Sequence, residues 1–258
     1  MGAGLSAQTI WRWTAIVLVH LAVVLIWYIA VKVGEVPKFV LASPHETLLS
    51  LFDTYPWFHN TMVTTAEIFG GYFLAVVVGV GLALLFSWFR TVDTLLMPLV
   101  VSLNMIPKVA LGPLIIVWFD YGIQTNIIIA FSISFLPILI TTARGLREVE
   151  PDLIDLVRTL RATRRQIFVK IQLPGSLPYI FSGMKVAVVL AVAGAVVGEI
   201  IASDSGLAYL IGQVQVTLDT AAMMMAVILI TLVGVALYLI VLGLERLVVV
   251  RDARVETV

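Results

Sequence analysis

The sequence contains no cysteine, which excludes disulfide bonds, zinc–thiolate sites and a thiol nucleophile. Charged residues are also scarce, at 12% of the 258 residues, about half the share usual for a soluble domain. The 16 basic and 16 acidic residues cancel, so the net charge indicates no class of partner. Apolar side chains dominate instead, at 61% of residues and a mean hydropathy of +1.08. This composition predicts a polytopic membrane protein, since a soluble chain with so little polar surface would aggregate.

Motifs of the common catalytic classes are absent as well. The sequence has no HExxH or GxSxG motif and no paired acids at close helical spacing within an apolar segment, so we do not expect a membrane-embedded enzyme. It has no GxxxxGK[ST] phosphate loop, so this chain is not expected to hydrolyse ATP or to power transport by itself. His20, His45 and His59 lack the spacing of metal ligands, and neither a metal site nor a cofactor is expected in this chain.

Six apolar segments reach or approach the roughly 20 residues that a helix needs to cross a bilayer. They are residues 14–33, 61–87, 95–119, 127–143, 179–202 and 221–248. Pro107 interrupts the third segment, which could be a broken helix because proline lacks a backbone donor and clashes with the preceding turn. The pattern predicts an all-α fold, a polytopic bundle of six transmembrane helices in a single domain over residues 1–258.

The distribution of basic residues predicts the orientation of the spans. If the N-terminus lies in the cytoplasm, the segments on that side contain Arg12, Arg90, Arg144, Arg147, Arg158, Arg161, Arg164, Arg165, Lys170, Arg251 and Arg254. The segments on the opposite side then contain Lys38, with Lys32 at a border. This asymmetry predicts that both termini are cytoplasmic. It also places residues 150–175, a strongly basic stretch, on the cytoplasmic side.

Two of the predicted spans carry a small residue at every fourth position. The second span has Gly71, Ala75, Gly79 and Ala83, and the fifth has Gly183, Ala187, Ala191 and Ala195. Stripes of this kind let helix backbones approach closely in lipid, where no hydrophobic effect drives helices together. They are compatible with plain bundle packing and with an interface that slides or rocks in a moving transporter.

Four ionisable residues fall within or near the predicted spans: Glu67, Lys108, Lys185 and Glu199. Such residues often mark a transport pathway, because a charge inside the bilayer is costly. Glu67, Lys185 and Glu199 could instead lie near helix ends, where long side chains reach water. Lys108, beside Pro107, is expected deeper, where it would line a polar cavity or pair with a neighbouring carbonyl or acid.

The basic cytoplasmic stretch has the pattern of two short amphipathic helices. Pro151 and its flanking acids predict the first helix start. Apolar residues at i, i+3, i+4 and i+7 give that helix one apolar face: Leu153, Leu156, Val157 and Leu160. Thr163 and Gln166 have capping-box spacing for a second helix, which Pro174 and Pro178 should end. The pair could rest on anionic lipid or dock onto a cytoplasmic protein.

This stretch resembles the cytoplasmic loop motif of ABC importer permeases, which reads roughly EAA, three residues, G, nine residues and I-x-L-P. Asp155-Leu156-Val157 stands at the EAA position, Arg161 stands at the glycine, and Ile171-Gln172-Leu173-Pro174 matches the end. Further segments resemble the nitrate, sulfonate and taurine branch of these permeases: Val36–Val40, Ser43-Pro44, Asn104–Pro113, Trp118-Phe119, Gly145-Leu146, Gly198-Glu199, Ser205-Gly206-Leu207 and Leu244-Glu245-Arg246. The likeness covers nearly the whole chain. The chain departs from the branch at Asp120, Asn126 and Glu67, where glycine, lysine and arginine are more usual.

The resemblance implies the type I ABC importer permease (MetI-like) fold and a multi-pass subunit of the bacterial inner membrane. The implied partners are two cytoplasmic ATPase subunits, which hold ATP and magnesium, a periplasmic or lipoprotein substrate-binding protein, and a second, identical permease subunit. No nucleic-acid partner is expected. The solute would be small, and anionic or heteroaromatic.

The resemblance also implies site residues. Contact with the ATPase is expected from Asp155, Thr159, Leu160, Arg161, Ala162 and Thr163 in the loop over residues 150–175, which we call the coupling loop. The translocation path is expected to include Asn104, Met105, Lys108 and Glu199. The alternative function is an ATP-independent secondary transporter or channel, for which the coupling loop would need no ATPase.

Overall fold

The computed structural model describes residues 7–107, 114, 117–148 and 151–249, and this part of the chain is helical, without β-strands. In chain order its helices are α1 (Ala7–Val33), α2 (Pro44–Leu49), α3 (Trp57–Trp88), α4 (Arg90–Asn104), α5 (Ile123–Arg147), α6 (Pro151–Thr159), α7 (Arg164–Ile167), α8 (Leu173–Ala202), α9 (Leu207–Val216) and α10 (Thr220–Val248). Ser50–Phe52 forms a 3₁₀ turn, and Phe168–Gln172 forms a π-helical turn between α7 and α8. The predicted all-α fold class is confirmed.

Five helical segments in the described residues are long and apolar enough to cross a membrane. They are Thr14–Val33, Trp57–Trp88, Ile123–Arg147, Arg164–Ala202 and Thr220–Val248. Each has at least 20 residues, which at 1.5 Å per residue matches a hydrocarbon core of about 30 Å. The chain is therefore a multi-pass membrane protein.

The segment predicted as the third span is interrupted in the structure. Helix α4 ends at Asn104, where the backbone N–H of Met105 donates to the Ser102 carbonyl at 3.1 Å and closes a tight last turn. Pro107 follows without helical structure, and residues 117–119 are helical again. The count of six spans stays a prediction, because residues 108–113 and 115–116 lie outside the described part of the chain.

The chain divides into two compact units: residues 1–57 with 210–228, and residues 58–209 with 229–258. In the first unit, side-chain hydrogen bonds hold the connecting segments. The Trp27 indole donates to the Ala42 carbonyl at 3.0 Å, and the Tyr55 hydroxyl donates to Asp219 Oδ2 at 2.7 Å. These bonds give hydrogen-bond donors to the Ala42 carbonyl and the Asp219 carboxylate, which lie in segments between helices.

Helix α2, in the same unit, begins with a complete capping box. The Ser43 hydroxyl accepts from the Glu46 N–H, and the Glu46 carboxylate accepts from the Ser43 N–H at 3.0 Å. The Lys38 ammonium lies 2.6 Å from the same carboxylate, and together with the Ser43 donors it lowers the pKa of Glu46 to about 2. The start of α2 therefore carries a negative charge at neutral pH, which suits the positive end of a helix dipole.

In the second unit, α3 and α8 both pack against α5 through their small-residue stripes. All eight stripe residues named above are buried. A Cβ atom on Gly71 would lie 2.5 Å from Ala130 Cβ, and one on Gly183 would lie 2.0 Å from Thr141 Oγ1, so α5 approaches both helices at backbone distance. The predicted role of the stripes in close bundle packing is confirmed.

The second helix of the coupling loop does not end at its prolines, so that prediction was wrong. Helicity runs from Arg164 to Ala202 without a break. A π turn separates the two α-helical parts, and in it the Leu173 N–H donates to the Phe168 carbonyl. Pro174 then falls in the first turn of α8, directly after the π turn. Pro178 is accommodated inside α8. The coupling loop is therefore continuous with a membrane span.

Candidate coupling site and buried polar cluster

The first helix of the coupling loop, α6, exposes the apolar face that the sequence predicts. Leu153 and Leu156 are 39% and 57% exposed, and Leu160 just beyond the helix is 74% exposed. Asp155 and Arg158 form an exposed ion pair at 3.1 Å along the helix, which contributes little on its own. An apolar face that this chain leaves uncovered is suited to contact with another molecule.

The turn after α6 closes the helix in a Schellman arrangement. The Arg161 N–H donates to the Arg158 carbonyl at 2.9 Å, and the Ala162 N–H donates to the Val157 carbonyl at 3.0 Å. Arg161 has φ +58°, a left-handed conformation that favours glycine. The loop motif of ABC importer permeases has glycine at this position, and the arginine here keeps the same backbone shape. We call residues 160–163 the elbow.

Helix α7 follows the elbow and is tied to the end of α3. The predicted capping box is confirmed, because the Thr163 N–H donates to Gln166 Oε1 at 2.8 Å and the Thr163 hydroxyl accepts from the Gln166 N–H. The Arg164 guanidinium donates to the Trp88 carbonyl and lies 5.0 Å above the Trp88 ring. Phe168 packs edge-on against the same ring at 5.3 Å. The loop is thus anchored to a membrane helix by an arginine and an aromatic pair.

A cavity of about 740 Å³ lies between the coupling loop and the ends of α3, α4 and α5. Its lining includes Phe86, Thr94, Leu146, Arg147, Ile154, Arg158, Ala162, Arg164 and Gln172. Gln172 also donates to the Leu146 carbonyl at 3.5 Å, which links the π turn to α5. The elbow is therefore supported at its base by α3 and α5, while its outer side is open.

The six residues predicted to contact an ATPase lie together on α6 and the elbow. Ala162 is half-buried and the other five are exposed: Asp155, Thr159, Leu160, Arg161 and Thr163. Thr159 caps its own turn by donating to the Leu156 carbonyl at 2.6 Å. This geometry leaves the six residues accessible to a partner, and their role stays a prediction.

The residues predicted for the translocation path are not brought together by the described structure. Asn104 is half-buried at the end of α4, and Met105 beside it is exposed. Lys108 lies outside the described residues. Glu199 is enclosed in a separate polar group, where it contacts Thr64 and the start of α9. The path assignment of these residues stays a prediction.

Glu199 caps the N-terminus of α9. Its Oε2 accepts from the backbone N–H groups of Ala208 at 2.6 Å and Tyr209 at 3.3 Å, and its Oε1 accepts from the Thr64 hydroxyl at 2.5 Å. Thr64 in turn accepts from the Leu207 N–H at 2.8 Å. Side chains from α3 and α8 thereby satisfy the donors that a helix start leaves free.

Gly206 completes this cap, and its contacts show why the Ser205-Gly206-Leu207 segment has glycine at its centre. Its N–H donates to Asn60 Oδ1 at 3.0 Å, and its φ is +117°. A Cβ atom on Gly206 would lie 2.3 Å from the Glu199 Cδ atom. Both the backbone conformation and the contact with the carboxylate therefore require glycine.

Glu67 lies in the same cluster, on α3 one turn beyond Thr64. Its Oε1 accepts from Asn126 Nδ2 of α5 at 2.7 Å, and both Glu67 and Glu199 are fully buried. The interpretation that these two side chains reach water at helix ends was wrong. Polar neighbours from three helices hold them inside the bundle instead. Glu67 and Asn126 are two of the positions where this chain departs from its branch, and they contact each other.

Lys185 is buried too, so the same interpretation was wrong for this residue. Its ammonium lies 3.1 Å from both carboxylate oxygens of Glu245 on α10. Lys185 is 8% exposed and Glu245 is 5% exposed. The pair joins α8 to α10 and accounts for the acid in the Leu244-Glu245-Arg246 segment.

The comparisons with known proteins agree with this architecture. A family model described as the binding-protein-dependent transport system inner membrane component matches residues 71–251. The chain belongs to this family. As a family member, it is similar to the formylaminopyrimidine transport permease protein ThiX of Halalkalibacterium halodurans, with 30% identity covering 89% of this chain and 92% of the relative. It is also similar to the riboflavin transport system permease protein RibX of Chloroflexus aurantiacus, with 33% identity covering 86% of this chain and 84% of the relative.

A solved structure supports the fold of this permease. An inward-facing conformation of the MetNI methionine ABC transporter aligns with a TM-score of 0.55 at 22% identity, covering 71% of this chain and 94% of the other. The fold is that of a type I ABC importer permease (MetI-like), as the sequence resemblance implied. The permease is thus a membrane component of an ABC transport system for a small solute.

Sequence reasoning missed several residues of the polar cluster in this permease. Asn60, Thr64 and Glu67 recur at i, i+4 and i+7, which places three polar groups on one face of an apolar helix. That spacing was the available signal. Glu245 was noted only as part of a segment, and its partner is 60 residues away, so no local pattern could identify the pair.

Proposed function

We propose that this chain is the permease subunit of an ATP-driven importer and that its elbow docks onto a separate cytoplasmic ATPase. The proposal rests on the geometry of the elbow. Leu160 is exposed at the tip of a turn whose backbone is fixed by the Schellman bonds of Arg161 and Ala162. An exposed apolar tip on a rigid turn is suited to fill a cleft on a partner.

The anchoring contacts support a coupling role for the loop. When ATP binding closes the partner ATPase subunits, a rigid loop passes their motion on, whereas a flexible one would absorb it. Arg164 and Phe168 hold the loop to Trp88 at the end of α3, and the helix after the loop continues into α8. Movement of the elbow would therefore reach two membrane helices directly. ATP and magnesium belong to the partner, since this chain has no phosphate loop.

The proposed assembly follows the family. Two copies of this chain would form the path, two ATPase subunits would bind the cytoplasmic face, and a periplasmic or lipoprotein binding protein would deliver the solute. Both termini and the coupling loop would be cytoplasmic in a bacterial plasma membrane, as the arginine distribution predicts. The family name, which specifies binding-protein-dependent transport, supports the binding protein.

For the solute we propose a small heteroaromatic or anionic compound. The names of two relatives specify formylaminopyrimidine and riboflavin, and both compounds are nitrogen heteroaromatics. Asn104, Met105, Lys108 and Glu199 remain our proposal for the path. Lys108 favours an anion, and the exposed Met105 thioether is compatible with an aromatic ring.

Affinity purification of the tagged chain from its native membrane in mild detergent tests the proposal. We expect an ATPase in roughly equal amount, with hydrolysis stimulated by a copurified or added binding protein. Mass spectrometry of the ligand on that binding protein would identify the solute. A pure chain without ATPase and without hydrolysis would favour an ATP-independent transporter or channel.

A matched pair of variants tests the elbow. Leu160→Glu places a charge at the exposed tip and should abolish ATPase recovery. Val216→Glu places the same charge at the end of α9, where the side chain is 86% exposed, and should leave recovery unchanged. Equal ATPase recovery with both variants would contradict docking through the elbow.

A further inference from the structure

The two carboxyl groups of Glu67 and Glu199 lie in one buried cluster, because Glu67 is one turn along α3 from Thr64, whose hydroxyl donates to Glu199 Oε1. Both side chains are 0% exposed. Within the described part of the chain, their interactions are with each other, Asn126, Thr64 and the backbone of α9, and no cationic side chain is among them. Two charged carboxylates without a cation in such a place would carry a large desolvation cost. Some ligand must therefore reduce the charge of the pair.

The two carboxyl groups differ in the hydrogen bonds that they receive. Glu199 receives three donors, the Thr64 hydroxyl and the N–H groups of Ala208 and Tyr209. It also lies at the positive end of the α9 dipole. These donors offset part of the desolvation cost at Glu199, so a single proton shared by the pair is better placed on Glu67.

Glu67 has the opposite surroundings. Its Oε1 accepts one bond from the Asn126 amide, while its Oε2 is buried and has no donor within reach. The Glu67 carboxyl group interacts with the Glu199 carboxylate, which only accepts. A hydrogen on Oε2 would turn this contact between two acceptors into a strong O–H···O⁻ bond. The unpartnered Oε2 is thus the oxygen on which a proton would gain a hydrogen bond.

We propose that Glu67 and Glu199 form a proton-binding site, in which Glu67 is a neutral carboxylic acid that donates from Oε2 to the Glu199 carboxylate. The groups that face the pair are neutral hydrogen-bond donors, so they can stabilise one negative charge and leave one proton on the pair. Helix α5 contributes the Asn126 amide, α9 contributes backbone N–H groups, and α3 contributes the Thr64 hydroxyl besides Glu67 itself. The pair is the only pair of acids in contact there among the described residues.

The proton has a structural consequence. It adds a second hydrogen bond between α3 and α8 to the one that Thr64 already makes with Glu199. Loss of the proton would leave two negative charges in contact inside the bundle and would force α3 away from α8. The proton thus contributes to the closeness of these helices, beside the hydrogen bonds of Thr64 and Asn60.

Infrared spectroscopy of the full chain in lipid nanodiscs, combined with two amide variants, tests the proposal. Glu67→Gln keeps the shape and can still donate to Glu199, so the melting temperature should stay within a degree or two of the wild type. The carbonyl-stretch absorption of a protonated carboxylic acid, present in the wild type at neutral pH, should disappear. Glu199→Gln places an NH₂ group against the N–H groups of α9 and should lower the melting temperature by several degrees.

Two outcomes would overturn the proposal. Absence of the acid absorption from the wild type would show that Glu67 carries no proton. A Glu67→Gln variant as unstable as Glu199→Gln would show that Glu67 acts as a charge.

The charge could otherwise be balanced by a metal ion or by Lys108, which lies outside the described residues. If added sodium or potassium raised the melting temperature of the wild type but not that of Glu67→Gln, the site would bind a metal ion, and the proposed proton site would be contradicted. If Lys108→Met lowered the melting temperature, but not when combined with Glu67→Gln, the Lys108 ammonium would balance the charge of the pair. That result would also contradict the proposed proton site. We expect neither effect.

Discussion

The Lys185 ammonium lies 3.1 Å from both carboxylate oxygens of Glu245, and both residues are buried between α8 and α10. A buried pair of this kind is costly to break, because removal of one partner leaves the other charge without compensation. Lys185→Met should therefore lower the free energy of unfolding by about 3–5 kcal/mol. Thermal unfolding in detergent, followed by tryptophan fluorescence, measures the change.

The double variant of this pair is the informative control. Lys185→Met combined with Glu245→Met replaces both charges with apolar side chains of similar length, and it should recover most of the lost stability. A double variant as unstable as the single one would contradict the assignment of the cost to an unpaired charge. It would point to lost packing instead.

Arg161 offers a test of backbone strain in the elbow. Its φ of +58° is a left-handed conformation that costs a non-glycine residue roughly 1–2 kcal/mol. Arg161→Gly should relieve most of this strain, offset in part by the greater entropy of glycine in the unfolded chain. We expect a small rise in melting temperature. Arg158→Gly, within α6, is the matched control and should lower it. A fall with Arg161→Gly would contradict the strain argument.

Arg164 should affect coupling rather than docking. Its contacts with the Trp88 carbonyl and ring hold the loop to α3, whereas the elbow residues proposed to face a partner lie outside these contacts. Arg164→Ala should leave ATPase recovery near the wild-type level but lower the solute transported per ATP several-fold. Transport and hydrolysis measured together in proteoliposomes give this ratio.

Arg165, the next residue, provides the control for the ratio of transport to ATP hydrolysis. Arg165→Ala removes the same charge one position along α7, where no contact with Trp88 is seen in the described residues. Its ratio of transport to hydrolysis should match the wild type. Equal loss in both variants would indicate that charge on the loop, and not its anchoring to Trp88, is what matters.

Much of this fold is predictable from the sequence because its signals are local. Apolar length indicates the spans, small residues at every fourth position indicate the faces of α3 and α8, and Thr163 with Gln166 indicates the start of α7. The prediction that the prolines end the helix failed because a π turn precedes Pro174 and the chain stays helical through it. The sequence has no sign of such a turn.

The buried charges could not be predicted for a different reason. Glu199 meets Thr64 across 135 residues and Lys185 meets Glu245 across 60. An ionisable side chain in an apolar segment is compatible with a helix end, a pathway or a buried pair until its partner is known. Only the three-dimensional arrangement supplies that partner.

Gly206 and Gly212 form a matched pair for testing the cap of α9. At Gly206, φ is +117° and a Cβ atom would lie 2.3 Å from the Glu199 Cδ atom. Gly206→Ala should therefore displace the carboxylate from its donors and lower the free energy of unfolding by roughly 2–4 kcal/mol. At Gly212, inside α9, a Cβ atom would meet nothing within 4 Å. Gly212→Ala should be neutral or stabilising by up to about 1 kcal/mol. Equal melting temperatures for the two variants would show that the Glu199 cap contributes no stability.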